Sequence, residues 1–298
     1  MACLLGAHLA PHARVILLGT WPEGVEVVAR RGIVLESERG EETIPARATT
    51  DPRQAGRADV VLVLVKSWQT ERAARQAAEV LAPESLALTL QNGLGNLEKL
   101  QAALGPDRAL PGVTTLGATL LGPGRVREGG RGPIHLPDDP RLDRFADTLR
   151  QAGFNTLRHP TSDLQPLIWG KVVVNCGINP LTALLRVPNG ELLARADARL
   201  LMERAACEAA EVARAKGIRL PYADPAAQVR KVARATAANR SSMLQDVLRG
   251  APTEVDAING AAVEEGQRLD VPAPINDVLW RLVRLVSQGP VSADSTLD

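Results

Sequence analysis

Hydrophobic and polar positions fall into two textures along the chain. In the first half, short apolar runs alternate with helical patterns. Arg14-Val-Ile-Leu-Leu-Gly19 reads as a short strand stopped by glycine. Asp59-Val-Val-Leu-Val-Leu-Val65 is apolar on both faces, as burial inside a parallel sheet requires, and Leu86-Ala-Leu-Thr-Leu90 is a further run of this kind. Helical patterns cover 69–81 and 94–104. Strand and helix in alternation predict a doubly wound α/β domain. The rhythm breaks over 113–136, where Gly-Pro-Gly at 122–124 and a Gly-rich turn at 129–132 predict short antiparallel strands. A helix over 139–152 and a strand over 154–158 follow.

From about residue 163 long amphipathic patterns take over. Residues 196–216 form a long helix ended by Gly217, and 224–238, 253–269 and 274–288 are further helices. The second domain is expected to be all-helical. The boundary is placed near His159-Pro160-Thr161-Ser162, giving domains 1–162 and 163–298, with 289–298 as a frayed tail.

Composition narrows the function classes. The 298 residues carry 35 basic and 34 acidic side chains, a formal charge of +1. That balance provides no broad field for nucleic acid or an anionic membrane, so the expected partner is a small molecule. Aromatics at 2% argue against base-stacking platforms for nucleic acid. Cys3, Cys176 and Cys207 are odd in number and far apart, reading as reduced thiols of a cytoplasmic protein. Of the four histidines only His8 and His12 fall at i, i+4, with no third ligand in sequence beside them, and no metal site is expected. No run approaches the roughly 20 apolar residues of a membrane span.

The start of the chain is unusual. Met1-Ala-Cys-Leu-Leu-Gly-Ala-His-Leu-Ala10 already looks like the helix that follows a first strand and a G-x-G-x-x-G turn. That strand and its glycine turn are not in the sequence. The expectation is that the natural chain begins upstream. The alternatives are that another segment fills the gap, or that the protein binds no dinucleotide.

Three stretches carry candidate chemistry. Lys66, in Val65-Lys-Ser-Trp-Gln-Thr70, stands at the carboxyl end of a buried strand, where ligands sit in open α/β sheets. It can meet a phosphate as a point charge, or be a plain exposed lysine. Gln91-Asn-Gly-Leu-Gly-Asn96 follows another buried strand. Asn92 offers both donor and acceptor there, although taken alone the stretch is better explained by an ordinary strand-to-helix turn with Asn96 capping the helix. In Trp169-Gly-Lys-Val-Val-Val-Asn-Cys-Gly-Ile-Asn-Pro180, residues Lys171, Asn175 and Asn179 are four apart. They drift by about 40° per step and line one helical face. A lysine and two amides beside valines are costly if buried unless a polar ligand pairs with them. The bland alternative is a solvated face, with Asn179 ending the helix before Pro180. Downstream, Ser242 with Gln245 reads as a capping box, and Thr253-Glu254 as a helix start. Pro188-Asn189-Gly190 reads as a turn.

In this order and spacing, the stretches resemble the ketopantoate reductase (2-dehydropantoate 2-reductase) family from residue 1 to about residue 290. The resemblance implies a Rossmann-like domain followed by a helical domain. It implies NADPH as cofactor, with NADH not excluded, and a 2-oxo acid as substrate. Lys66 then matches the cofactor lysine, and Asn92 the asparagine between nicotinamide and substrate. Lys171 matches the proton-donating lysine, with Asn175 and Asn179 as substrate-binding asparagines. Asn189 and Ser242 match further substrate contacts, and Glu254 an acid near the nicotinamide ribose. Two departures stand out: the glycine fingerprint is absent, and the position after the second strand, often arginine for the 2′-phosphate, is Thr20. The activity implied is reduction of ketopantoate to pantoate, with a homodimer as an open expectation. The alternatives are a non-catalytic remnant that keeps the helical domain, and a sister dehydrogenase acting on another 2-oxo acid.

Overall fold

The computed structural model describes residues 1–287. The chain divides into two compact units. The first holds residues 1–91 and 96–164, and the second holds 92–95 and the chain from Gln165 onward. The expected tail 289–298 lies outside the described residues.

The first unit opens with α1 (Ala2–Leu9), β1 (Ile16–Leu18), α2 (Pro22–Arg31), β2 (Ile33–Ser37), β3 (Gly40–Ile44), β4 (Arg47–Thr49) and α3 (Pro52–Ala55). There follow β5 (Ala58–Val63), α4 (Thr70–Val80), β6 (Leu81–Thr89), α5 (Asn96–Leu104), β7 (Ala109–Pro111), β8 (Val113–Thr114), β9 (Ala118–Gly122) and β10 (Arg125–Glu128). β11 (Ile134–Pro137), α6 (Asp143–Gln151) and β12 (Thr156–His159) complete it.

The parallel pairs β5–β6 and β6–β7 form one sheet, and β1–β4 form a separate parallel pair. β6 shows why its sequence is apolar on both faces. Leu86 and Leu88 pack with α1 and α6, while Ala87 packs with α4 and α5. Alanines at 74 and 77 let α4 approach the sheet closely. The 113–136 stretch is only partly the antiparallel set expected from its turns. β9 and β10 pair antiparallel, as do β8 and β11. β10 also pairs parallel with β2, and β11 parallel with β12. Such long-range partners have no local signature. The elements from α2 to α3 give the weakest pattern; β3, for instance, exposes four of its five residues.

The second unit is helical throughout its described length. It contains most of α7 (Thr161–Leu185), then α8 (Glu191–Ala194), α9 (Ala196–Ala215), α10 (Pro225–Ala235), α11 (Ser242–Leu248), a π-helical turn Asp256–Gly260, α12 (Ala261–Arg268) and α13 (Pro274–Ser287). The single helix expected over 253–269 is therefore a π turn running into α12. A core of α7, α9, α10, α12 and α13 side chains holds the unit together. By length and composition, α7 is apolar enough to cross a membrane, but 72% of its most apolar window is buried within the protein, as in a core helix.

α7 does not stop at Asn179. It runs through Pro180 to Leu185. Pro180 has no N–H, so the Cys176 carbonyl loses its helical donor. Asn259 Nδ2 replaces it at 3.1 Å and also donates to Asn276 Oδ1 at 3.0 Å. Asn276 Nδ2 donates in turn to the Ala205 carbonyl and to Glu208. Asn259 and Asn276 are fully buried.

Removing this donor leaves buried acceptors without a partner. Asn259→Ala is expected to lower stability by about 2–3 kcal/mol, read as a drop in the urea midpoint at unchanged m-value.

On β11 and β12, His135 Nδ1 and His159 Nε2 share a hydrogen bond of 2.8 Å. Burial, reinforced by the facing imidazole of His159, holds His135 below the usual histidine range. The folded state therefore favours the neutral ring. Stability from this group is present above the unfolded value of about 6.5 and is lost as pH falls through it. His135→Gln is expected to flatten the fall in thermal midpoint between pH 7.5 and 5.5; an unchanged slope removes this role.

Candidate active site

Within the helical unit, α7 presents Lys171 and Asn175, both half-buried, and Asn179, which is buried, one turn apart on a single face. The segment 92–95 packs in the same unit. Gly93 adopts φ +84°, and a Cβ there would stand 2.5 Å from the Ala257 carbonyl oxygen. The Leu94 N–H donates to that same oxygen at 2.8 Å. This close approach, which only glycine allows, sets Asn92 beside Glu254, with Asn92 Nδ2 donating to Glu254 Oε2 at 3.5 Å. Glu254 is 5% exposed. Burial pulls Lys171 from its ordinary value down to about 8, and the negative charge of Glu254 opposes that fall. The structure thus brings Lys171, Asn92 and Glu254 into one electrostatic cluster.

The start of α11 differs from expectation. The cap is Ser241, not Ser242. Ser241 is extended at ψ 157°, as a cap must be, and its Oγ accepts from the Leu244 N–H at 3.0 Å. Gln245 does not close a capping box; its Nε2 donates to the Arg240 carbonyl. Ser241 Oγ also shares a 2.7 Å hydrogen bond with Thr182 Oγ1, which fastens α11 to α7. Ser242, the first helical residue, is half-buried and has no capping duty. Asn189 lies in a turn, as expected, but is buried. Its Nδ2 donates to Thr236 Oγ1 at 2.9 Å and its N–H to the Asn239 carbonyl, so it ties the turn to the segment after α10. The structure gives it this role in the fold.

In the first unit, Lys66 follows β5 and opens a short 3₁₀ turn, Ser67–Gln69. Three side chains that carry no sequence signal of their own fasten this loop. Gln91 Nε2 donates to the Val65 carbonyl at 2.9 Å and to Thr70 Oγ1 at 2.8 Å, and Thr70 Oγ1 donates to Asn96 Oδ1. Gln69 accepts from the Lys66 N–H and donates to Thr20 Oγ1 at 3.2 Å. Among the described residues, no cluster of three or more histidine, cysteine or acidic side chains could hold a metal ion.

The profile of the ketopantoate reductase PanE/ApbA family matches residues 1–141, and that of its C-terminal domain matches 163–287. A 2-dehydropantoate 2-reductase of Halobacterium salinarum is 36% identical over 295 residues, covering 97% of this chain and 96% of the relative. The chain belongs to the ketopantoate reductase family. A 2-dehydropantoate 2-reductase of Archaeoglobus fulgidus is 40% identical over 246 residues, 81% of this chain and 80% of that one. Among solved structures, a family member from Ralstonia eutropha JMP134 matches with a TM-score of 0.86 and 32% identity, covering 95% of this chain and 94% of the other. A D-mandelate dehydrogenase solved with NADH and anilino(oxo)acetate shares the fold at a TM-score of 0.89, 24% identity and coverage of 96% and 94%.

The Gly93 contact is open to test. Gly93→Ala adds a Cβ in a left-handed conformation against a backbone carbonyl, and is expected to cost about 1–3 kcal/mol of stability. Chemical denaturation of the variant measures it, and a loss below about 0.5 kcal/mol means the loop is not held in this way.

Proposed function

We propose that this chain is a 2-dehydropantoate 2-reductase. It reduces the 2-oxo group of ketopantoate to the hydroxyl of pantoate with NADPH, in pantothenate and coenzyme A biosynthesis. The observation that carries the reading is Lys171, an enclosed ammonium brought to about 8 and facing the charge of Glu254, on one helical face with two amides. The similarity to named reductases over 97% of the chain supports this activity over a non-catalytic remnant. We place the protein in the cytoplasm, in keeping with free thiols at Cys3, Cys176 and Cys207, and expect a homodimer.

The residues fit a pyridine dinucleotide. Lys66 stands on a fastened loop at the carboxyl end of a parallel strand, where a cation meets phosphate. Bound NADPH supplies the hydride. The chain supplies the rest. As negative charge builds on the substrate's carbonyl oxygen, the Lys171 ammonium stabilises it and delivers the proton. Asn175, Asn179 and Ser242 orient the substrate's hydroxyl and carboxylate, with Asn189 as a further contact. Asn92 would lie between nicotinamide and substrate, and Glu254 would hold the ribose and support the protonated lysine. Thr20 offers the 2′-phosphate a neutral hydroxyl in place of a cation, so the preference for NADPH over NADH rests mainly on Lys66.

Lys171→Ala is expected to lower the turnover of ketopantoate by about 100-fold or more; loss within a few-fold overturns the assignment. Reduction needs the protonated lysine. Activity is therefore expected to be level below a pH of about 8 and to fall above it. Glu254→Gln removes the charge that raises Lys171, so the descending limb moves to lower pH. A limb that stays in place or moves upward contradicts the pairing. Other 2-oxo acids assayed in parallel test the substrate.

A further inference from the structure

Two of the four tryptophans are left in solvent in a way that folding does not explain. Trp169 is buried, and Trp280 donates its indole N–H to Asp256. Trp21 and Trp68 are 43% and 53% exposed. Trp21 is the N-cap of α2, with Pro22 fixing the next backbone angle. Its six-membered ring lies against Gly24, where an added Cβ would stand 2.4 Å from Cε3 and 2.9 Å from both Cδ2 and Cζ3. A glycine inside a helix costs about 1 kcal/mol relative to alanine. Here that glycine makes a seat for the indole, which stays 43% exposed. Trp68 sits in the 3₁₀ turn after Lys66. The Gln69–Thr20 hydrogen bond joins the residue after Trp68 to the residue before Trp21.

We propose that Trp21, on the loop that the Gln69–Thr20 bond ties to the Trp68 turn, is a stacking platform for the adenine ring of the dinucleotide. The proposal rests on the reductase reading for the presence of that cofactor. Of the cofactor's two rings, nicotinamide is assigned to Asn92 and Glu254, which leaves adenine. A purine offers the planar π-face that an open indole binds, and Lys66 next to Ser67 supplies the phosphate contact on the same loop. Recognition at this end is then mainly by stacking instead of by a bidentate cation. It follows that binding depends weakly on salt and that discrimination between NADPH and NADH is small.

The test uses the full chain, with NADPH and with ADP as an adenine probe that carries no nicotinamide. Indole fluorescence and calorimetry give the dissociation constants. ADP is expected to quench emission from the exposed tryptophans. Trp21→Ala is expected to raise Kd for both ligands about 10-fold or more, as loss of one aromatic–base stack does, and to raise KM for NADPH in parallel. Trp21→Phe is expected to stay within about threefold, which separates stacking from misfolding. Gly24→Ala, which keeps the indole but unseats it, is expected to weaken both ligands in the same direction. If the parent binds NADPH and Trp21→Ala binds both ligands within twofold of it, the platform is wrong and the reductase reading stands. If the parent binds neither ligand and reduces nothing, both fall together.

Discussion

An ammonium group withdrawn from water and opposed by one carboxylate is the constraint around which the helical unit is organised. Burial alone lowers the affinity of Lys171 for its proton, and Glu254 returns part of it. The resulting value of about 8 lies in a useful window. A lysine at its ordinary value near 10.4 is a poor proton donor, and one pushed far below neutrality is no longer charged. Both arms of the balance depend on backbone placement: α7 carries the lysine, and the turn after Thr253 carries the acid.

The frame of α7 is correspondingly over-determined. Pro180 would break the helix within the polar stripe, and Asn259 reaches in to satisfy the carbonyl it strands. Near the lysine, Tyr222 donates its hydroxyl to the Gly170 carbonyl at 2.8 Å, and a Cβ on Gly170 would stand 2.9 Å from Pro221. Beyond Asn179, Thr182 bonds to Ser241 and so fixes where α11 begins. Three hydrogen bonds at three levels of one helix leave the stripe of Lys171, Asn175 and Asn179 little freedom. That matters for the role proposed for Lys171, because a misplaced proton donor forfeits much of its effect.

How much of this was legible in the sequence follows from the range of each interaction. Lys171, Asn175 and Asn179 were legible because a spacing of four is a local property of a helix, and β6 because a strand buried on both faces is apolar throughout. Ser241 and Ser242 were not separable. Both are good caps, and the choice is made by Thr182, 59 positions away from Ser241. The pairing of Asn92 with Glu254 spans 162 positions and is created by a glycine meeting Ala257. No periodicity reports it; only the order of motifs, taken as a family resemblance, placed those two residues at one site. The hairpin of β2 and β3 was missed for the opposite reason: its outer strand is too polar to alternate.

The first unit faces a different problem, since β1–β4 and β5–β6–β7 are separate pieces of parallel sheet. Helix α1 is what spans them. Leu17 of β1 and Ala48 of β4 pack against the cluster that holds Leu4 and Ala7, while Leu5 and Leu9 pack with Leu86, Leu88 and Leu149. A helix that must serve two cores at once cannot have a polar face, and α1 is accordingly apolar almost all round. The carboxyl ends of β1 and β5 are joined in a different way. There the polar bond between Thr20 and Gln69 links the loop after one strand to the loop after the other. A hydroxyl short enough to accept that bond occupies the position where the resemblance calls for arginine. Thr20 therefore supplies a neutral tie between the Lys66 and Trp21 loops.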